Sequence, residues 1–178
     1  LFEEKMRLIE DKMFGWSLLS YCKNCTYIRK QLYTYYVNPK INTAITDSLN
    51  FGFGLDKIKL IMQIVEKSLK LKNLSDLEIK KNCQHGLIFF SIHALITITR
   101  PMFLKKIDFN KGKKIRKKLI NEILNYTEVR NAIKFYKPSK KESYLIPLAI
   151  RLNSKKLLEF ACNRRAKQTI IMRRSKKV

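Results

Sequence analysis

Leu87–Thr99 runs for 13 residues without a charge, in a 178-residue chain whose formal net charge is +24. Its order is Leu-Ile-Phe-Phe-Ser-Ile-His-Ala-Leu-Ile-Thr-Ile-Thr. So apolar a segment needs cover, from other protein or from lipid. A membrane-spanning helix takes roughly 20 residues, and Arg100-Pro101 closes this run sooner. The segment is therefore expected to be a buried core element, with the rest of the chain packed around it and the protein soluble.

The flanking sequence supplies helices to do the packing. Asn38-Pro39 is a helix start, with Asn as N-cap and Pro at the first helical position. Ile41, Ala44, Ile45 and Leu49 follow at helical spacing. Phe51-Gly52-Phe53-Gly54 stops that helix. The next is expected from Leu55 to Lys70, burying Leu55, Ile58, Ile61, Met62, Val65 and Leu69. Ser75 and Glu78 form a capping box that opens a helix through Cys83 toward the apolar run, with His85-Gly86 a candidate interruption. Ile115, Leu119, Ile120, Ile123 and Leu124 predict another helix. Ser139 and Glu142 form a weaker capping box, and a short helix is expected over residues 148–160. Strand signals are sparse and no internal repeat is visible. The fold class is mainly α: a helix–two-turn–helix core, helical insertions and an extended basic C-terminal tail. The expected divisions are an N-terminal extension (1–36), a helical core with the glycine turn (37–103), a basic helical insertion or extension (104–162) and a basic tail (163–178).

Charge is unevenly placed. Residues 1–103 hold 15 Lys or Arg against 9 acids, and residues 104–178 hold 23 against 5. Like charges at this density oppose compaction unless a polyanion neutralises them. Nucleic acid is the first candidate and an anionic membrane surface the second. A hydrophobic content of 46% is enough for a core and excludes wholesale disorder. Lys outnumbers Arg 28 to 10, with abundant Ile, Leu and Asn, which suggests an AT-rich genome. Leu1–Glu10 mixes acids and bases and does not resemble a secretory signal.

The glycine loop is the most specific contact signal. Glycine lets backbone approach a ligand closely, and the first N–H groups of the helix that follows have no internal acceptor. Gly52 and Gly54, with Lys57 and Lys59 beyond them, suit a phosphate oxygen; an ordinary turn between packed helices is the alternative. Tyrosines around Arg29 and Lys30 pack against neighbours or stack on bases, with packing favoured. In the tail, Arg164, Arg165, Arg173 and Arg174 suit phosphate clamping or base stacking, while Lys167, Lys176 and Lys177 add charge.

Catalytic chemistry is not evident. Cys22 and Cys25 have zinc-ligand spacing, and Cys83, His85 and Cys162 stand as distant additional ligands. Reduced, partly buried thiols are the preferred reading, and no metal or cofactor is expected. His93 is expected to be a hydrogen-bonded core residue. Glu3-Glu4 and Glu10-Asp11 read as solvated helix faces, and neither a phosphate-binding loop nor a dinucleotide fingerprint is present. The chain is read as a non-enzyme.

The arrangement of helix, Phe51-Gly52-Phe53-Gly54, helix and Asn73-Leu74-Ser75-Asp76-Leu77-Glu78-Ile79 resembles the small-subunit ribosomal protein family numbered thirteen. The interval of 20 positions from Gly54 to Leu74 is close to that family's. Residues 37–82 carry most of the resemblance, and residues 163–178 echo the family's basic tail. Leu55 and Asp56 follow the turn where the family usually has a base, and its arginine-glycine-rich segment is absent. The resemblance implies a structural protein of the small ribosomal subunit, here of a mitochondrial ribosome in the matrix. The core would bind rRNA in the subunit head and the tail would reach toward peptidyl-site tRNA. Neighbouring small-subunit proteins and a large-subunit bridge protein would be further partners. Two rivals remain. DNA-repair glycosylases use a similar motif but need a nucleophile that Leu1-Phe2-Glu3 does not offer. A lysine-rich accessory subunit of a mitochondrial membrane complex would pack residues 87–103 against membrane helices and meet anionic lipid with its charge.

Overall fold

The computed structural model describes residues 54–104, 107–139 and 143–175, together with positions 14, 15, 18, 21, 22, 24 and 26; side chains beyond Ile171 are outside this set. The expected helix after Asn38-Pro39, Gly52, and Lys176 and Lys177 lie outside the described residues. Among those described there are six helices and no strand. They are α1 (Leu55–Lys70), α2 (Asp76–Phe103), α3 (Phe109–Asn125), α4 (Thr127–Ala132), α5 (Leu145–Arg151) and α6 (Lys155–Ser175). The mainly α class expected from the sequence is what is found.

The apolar run lies within α2, which is the hub: each of the other five helices packs against it. Its start is the expected capping box. Ser75 Oγ accepts from the Glu78 N–H at 3.4 Å, and the Glu78 carboxylate accepts from the Ser75 N–H at 3.1 Å. Ile88, Ala94 and Leu95 are fully buried in α2, against Ile58 and Ile61 of α1, Ile120 and Ile123 of α3, and Leu158 and Ala161 of α6. One hydrophobic cluster thus draws on residues from both sides of position 104. Two polar side chains inside it are satisfied within the helix. Ser91 donates to the Leu87 carbonyl at 2.7 Å and Thr99 to the Leu95 carbonyl at 2.6 Å, the local bonding open to hydroxyls in helices.

Several expectations need correcting. The helix is not interrupted at His85-Gly86. Gly86 faces α1, where a Cβ would come within 3.0 Å of Met62 Cε, so this glycine serves close helix packing. Past the apolar run the helix continues to Phe103, with Pro101 inside its last turn. His93 is on the exposed side of α2, its ring stacked on Phe89 at 6.3 Å between centroids.

The helix expected over 148–160 is two helices. α5 stops at Arg151, and Asn153 takes a left-handed φ of 49°. The Asn153 N–H donates to Ile150 and the Ser154 N–H to Ala149, the paired bonds of a Schellman stop, with asparagine where glycine is more usual. Ser154 then accepts from the Leu157 N–H at 3.3 Å and caps α6. That helix runs on through Ser175, so residues 163–175 are helical where the composition predicts an extended tail. Ala161, Cys162 and Ala166 give the reason, for they are buried on one face and packing carries the helix past its charges.

Candidate nucleic-acid interface

α3 begins at Asp108, whose carboxylate accepts from the Lys111 N–H at 2.7 Å. Its inner face buries Leu119, Ile120, Ile123 and Leu124. Lys111, Lys113, Lys114, Lys117 and Lys118 are all exposed on the outer side. Glu122, 3.8 Å from Lys118, is the acid within the helix. Arg116 is turned the other way, only 3% exposed, and its Nη1 donates to Asn163 Oδ1 of α6. This contact joins α3 to α6, which pack side by side.

α6 is divided in the same manner. Leu158, Ala161, Cys162 and Ala166 are buried. Lys156, Phe160, Arg164, Lys167 and Ile171 recur at spacings of four, four, three and four, which places them on one face, and all five are exposed. The Lys167 ammonium lies 5.3 Å from the centre of the Phe103 ring at the end of α2, a contact that positions it without neutralising it. Burial pushes the Cys162 thiol up to about 12, against the pull of the nearby Arg116 charge. It is a packing group and not a nucleophile.

Of the residues singled out in the tail, Arg164 and Lys167 are exposed and Arg165 is half-buried. Arg173 and Arg174 fall on the last turn of α6. The glycine-loop set does not assemble in the same way. Gly54 is the N-cap of α1 with φ −76° and ψ 169°, ordinary extended backbone that needs no glycine, and a Cβ there would meet nothing within 4 Å. Asp56 occupies the first turn of α1 and opposes a phosphate at that helix end. Lys57 is half-buried. Lys59 Nζ lies 4.4 Å from the centre of the Tyr126 ring.

That last contact belongs to a cleft of about 620 Å³ between α1, the start of α2 and α4. Glu66, Asp76 and Glu128 line it together with Lys59, Lys70 and Cys83. Charges here are already matched, as Lys70 lies 2.7 Å from Glu66. Burial, and then Glu66, pushes the Cys83 thiol up; burial and a hydrogen bond to Glu128 do the same for the Tyr126 hydroxyl. Both remain protonated at neutral pH, and the acids make the cleft a poor place for a polyanion. Among the described residues no three His, Cys, Asp or Glu gather as metal ligands would. The Cys22 carbonyl accepts from Lys72 Nζ at 3.5 Å, and Cys25 lies outside the described residues.

Lys113, Lys117, Lys156 and Phe160 are not singled out by the sequence alone. Lysine density between residues 105 and 118 is visible there, as is the period of α3. The signal that could have found the α6 face is the regular interleaving of Lys156, Phe160, Arg164, Lys167 and Ile171 along it. Comparison with protein-family models, curated protein sequences and solved structures finds no match to this chain.

Proposed function

We propose that the chain is an RNA-binding structural protein whose α3–α6 face lies against RNA phosphates. The observation that carries this reading is the division of cations in the structure. Lys113, Lys117, Arg164 and Lys167 are exposed on two adjoining helices whose acids are Glu122 and Glu159, whereas Lys70 pairs with Glu66 and Lys59 shares a cleft with Glu66, Asp76 and Glu128. A surface on a folded core in which cations outnumber acids gains binding energy by releasing counterions from a polyanion. Recognition of folded RNA through such a surface follows shape and phosphate more than sequence.

The more specific proposal is a place in the small subunit of a mitochondrial ribosome, in the matrix, beside other small-subunit proteins. It draws support from the resemblance at residues 37–82, and the described part of that stretch has a helix from Leu55 and a Ser75-capped helix after a short turn. The proposal also includes head rRNA, peptidyl-site tRNA and a large-subunit bridge as contacts.

A membrane subunit is the second reading, favoured by one observation. α2 has 28 residues and an 18-residue window of mean hydropathy 1.4, so it is long and apolar enough to cross a bilayer. Against it, 56% of that window is buried by the protein itself. Spanning would also carry the lysine-covered helix α3 into lipid or strip it from α2, and a lysine at the bilayer centre costs about 3 kcal/mol or more.

Fractionation separates the two. On a high-salt sucrose gradient of organellar extract, mass spectrometry is expected to find this chain with the small ribosomal subunit, and ultraviolet crosslinks from α3 and α6 to rRNA. Recovery only in a detergent-solubilised membrane complex would overturn the ribosomal proposal.

A further inference from the structure

The outer face of α6 carries apolar groups where simple charge neutralisation needs none. Phe160 is 58% exposed and Ile171 63% exposed, both in register with Lys156, Arg164 and Lys167. Phe160 has a cation one turn before it and another one turn after it. An aromatic ring held open to solvent between two cations combines a stacking surface with neutralisation of the backbone on either side, the recurring chemistry of single-stranded nucleic-acid contacts. We propose that Phe160 stacks on an unpaired nucleotide, bulged or looped, while Lys156 and Arg164 meet the phosphates flanking it.

The inference rests on the RNA-binding reading and deepens it. It assigns α6 a preference for RNA with a displaced base over uninterrupted duplex, whose bases are stacked on one another and offer no free face. A lipid surface is the less suitable partner for the same stripe. A helix lying in a membrane interface buries a continuous apolar face. Here Phe160 and Ile171 are 11 residues apart, about 16 Å along the axis, with Arg164 and Lys167 between them on the same face. The side chain sits on a rigid support, because the opposite face of α6 is anchored by Leu158, Ala161 and Cys162, none more than 1% exposed.

The test uses the full chain and two RNA hairpins, one fully paired and one with a single bulged 2-aminopurine. Wild type is expected to bind the bulged hairpin about tenfold more tightly and to quench 2-aminopurine fluorescence. Phe160→Ala is expected to lose preference and quenching while keeping its thermal midpoint and the salt dependence of binding. Phe160→Tyr is expected to retain both. Equal binding of the two hairpins by wild type, or a Phe160→Ala variant that still quenches, overturns the stacking proposal and leaves phosphate binding standing. Absence of salt-dependent binding to either hairpin removes the RNA reading itself. Binding to anionic phosphatidylserine vesicles in preference to both hairpins would assign the stripe to a membrane and also contradict the proposal.

Discussion

Arg116 is buried, while Arg130 and Arg151 are exposed but direct guanidinium N–H groups back onto main-chain carbonyls. Arg116 donates to Asn163, Arg130 Nε to the Leu124 carbonyl at 3.1 Å, and Arg151 to the carbonyls of Ile133 and Tyr136 at 3.1 and 2.6 Å. Each closes a helix end or joins two helices, and none is distinguishable in sequence from Arg164 on the outer face of α6. Which arginines bond the protein itself depends on where acceptors of other helices come within reach, and that is settled only when the helices meet. Ser75 is the opposite case, because its partner lies three residues away and the spacing alone announces the box. Ser75→Ala is expected to lower stability by about 1 kcal/mol, read from denaturant unfolding. The Ser75 hydroxyl and backbone N–H, as donors, hold the Glu78 carboxyl below its ordinary value of 4.5. Glu78 therefore contributes stability that is present above that value and lost as pH falls through the lowered one. The difference between wild type and Ser75→Ala should shrink in that acid window, and an unchanged difference would count against the box.

Among the helices, the period of apolar residues is enough to place α1, α3 and the capped start of α2. Three features are not legible, all for the same reason. The passage of α2 through Gly86, the stop at Asn153 and the continuation of α6 past Asn163 are decided by packing against residues distant in sequence or by backbone geometry. At Gly86 the decisive neighbour is Met62; along α6 it is the buried row ending at Ala166. Gly112 makes the point testable. It sits in the first turns of α3 against the end of α2, where a Cβ would come within 2.6 Å of Met102 Cγ and 2.8 Å of Ile107 Cδ1. Gly112→Ala gains up to about 1 kcal/mol of helix propensity and loses roughly 1–3 kcal/mol to overpacking. The expected balance is a lower thermal midpoint, partly recovered by adding Met102→Ala. A midpoint that rises on Gly112→Ala alone would show that the neighbouring side chains yield easily.

For the whole molecule, α2 and the net charge of +24 impose opposite demands, burial at the centre and separation of cations at the surface. The other five described helices meet both by packing around α2 and turning lysines outward on α3 and α6. Composition makes that division foreseeable, but not which helices adjoin. The glycine loop draws attention to α1, whereas the exposed rows of cations proposed to meet RNA stand on α3 and α6. Total charge and a specific face predict different salt behaviour, so one measurement separates them: the slope of log affinity against log salt for a structured RNA. Lys113→Gln, Lys117→Gln, Arg164→Gln and Lys167→Gln together are expected to reduce the magnitude of that slope by about 3, near 0.7–0.9 for each phosphate that is no longer neutralised. Lys59→Gln with Lys70→Gln, in the cleft, is expected to leave it almost unchanged. An equal reduction per charge removed at both places would contradict the account, because the RNA would then be sensing net charge and not the α3–α6 face.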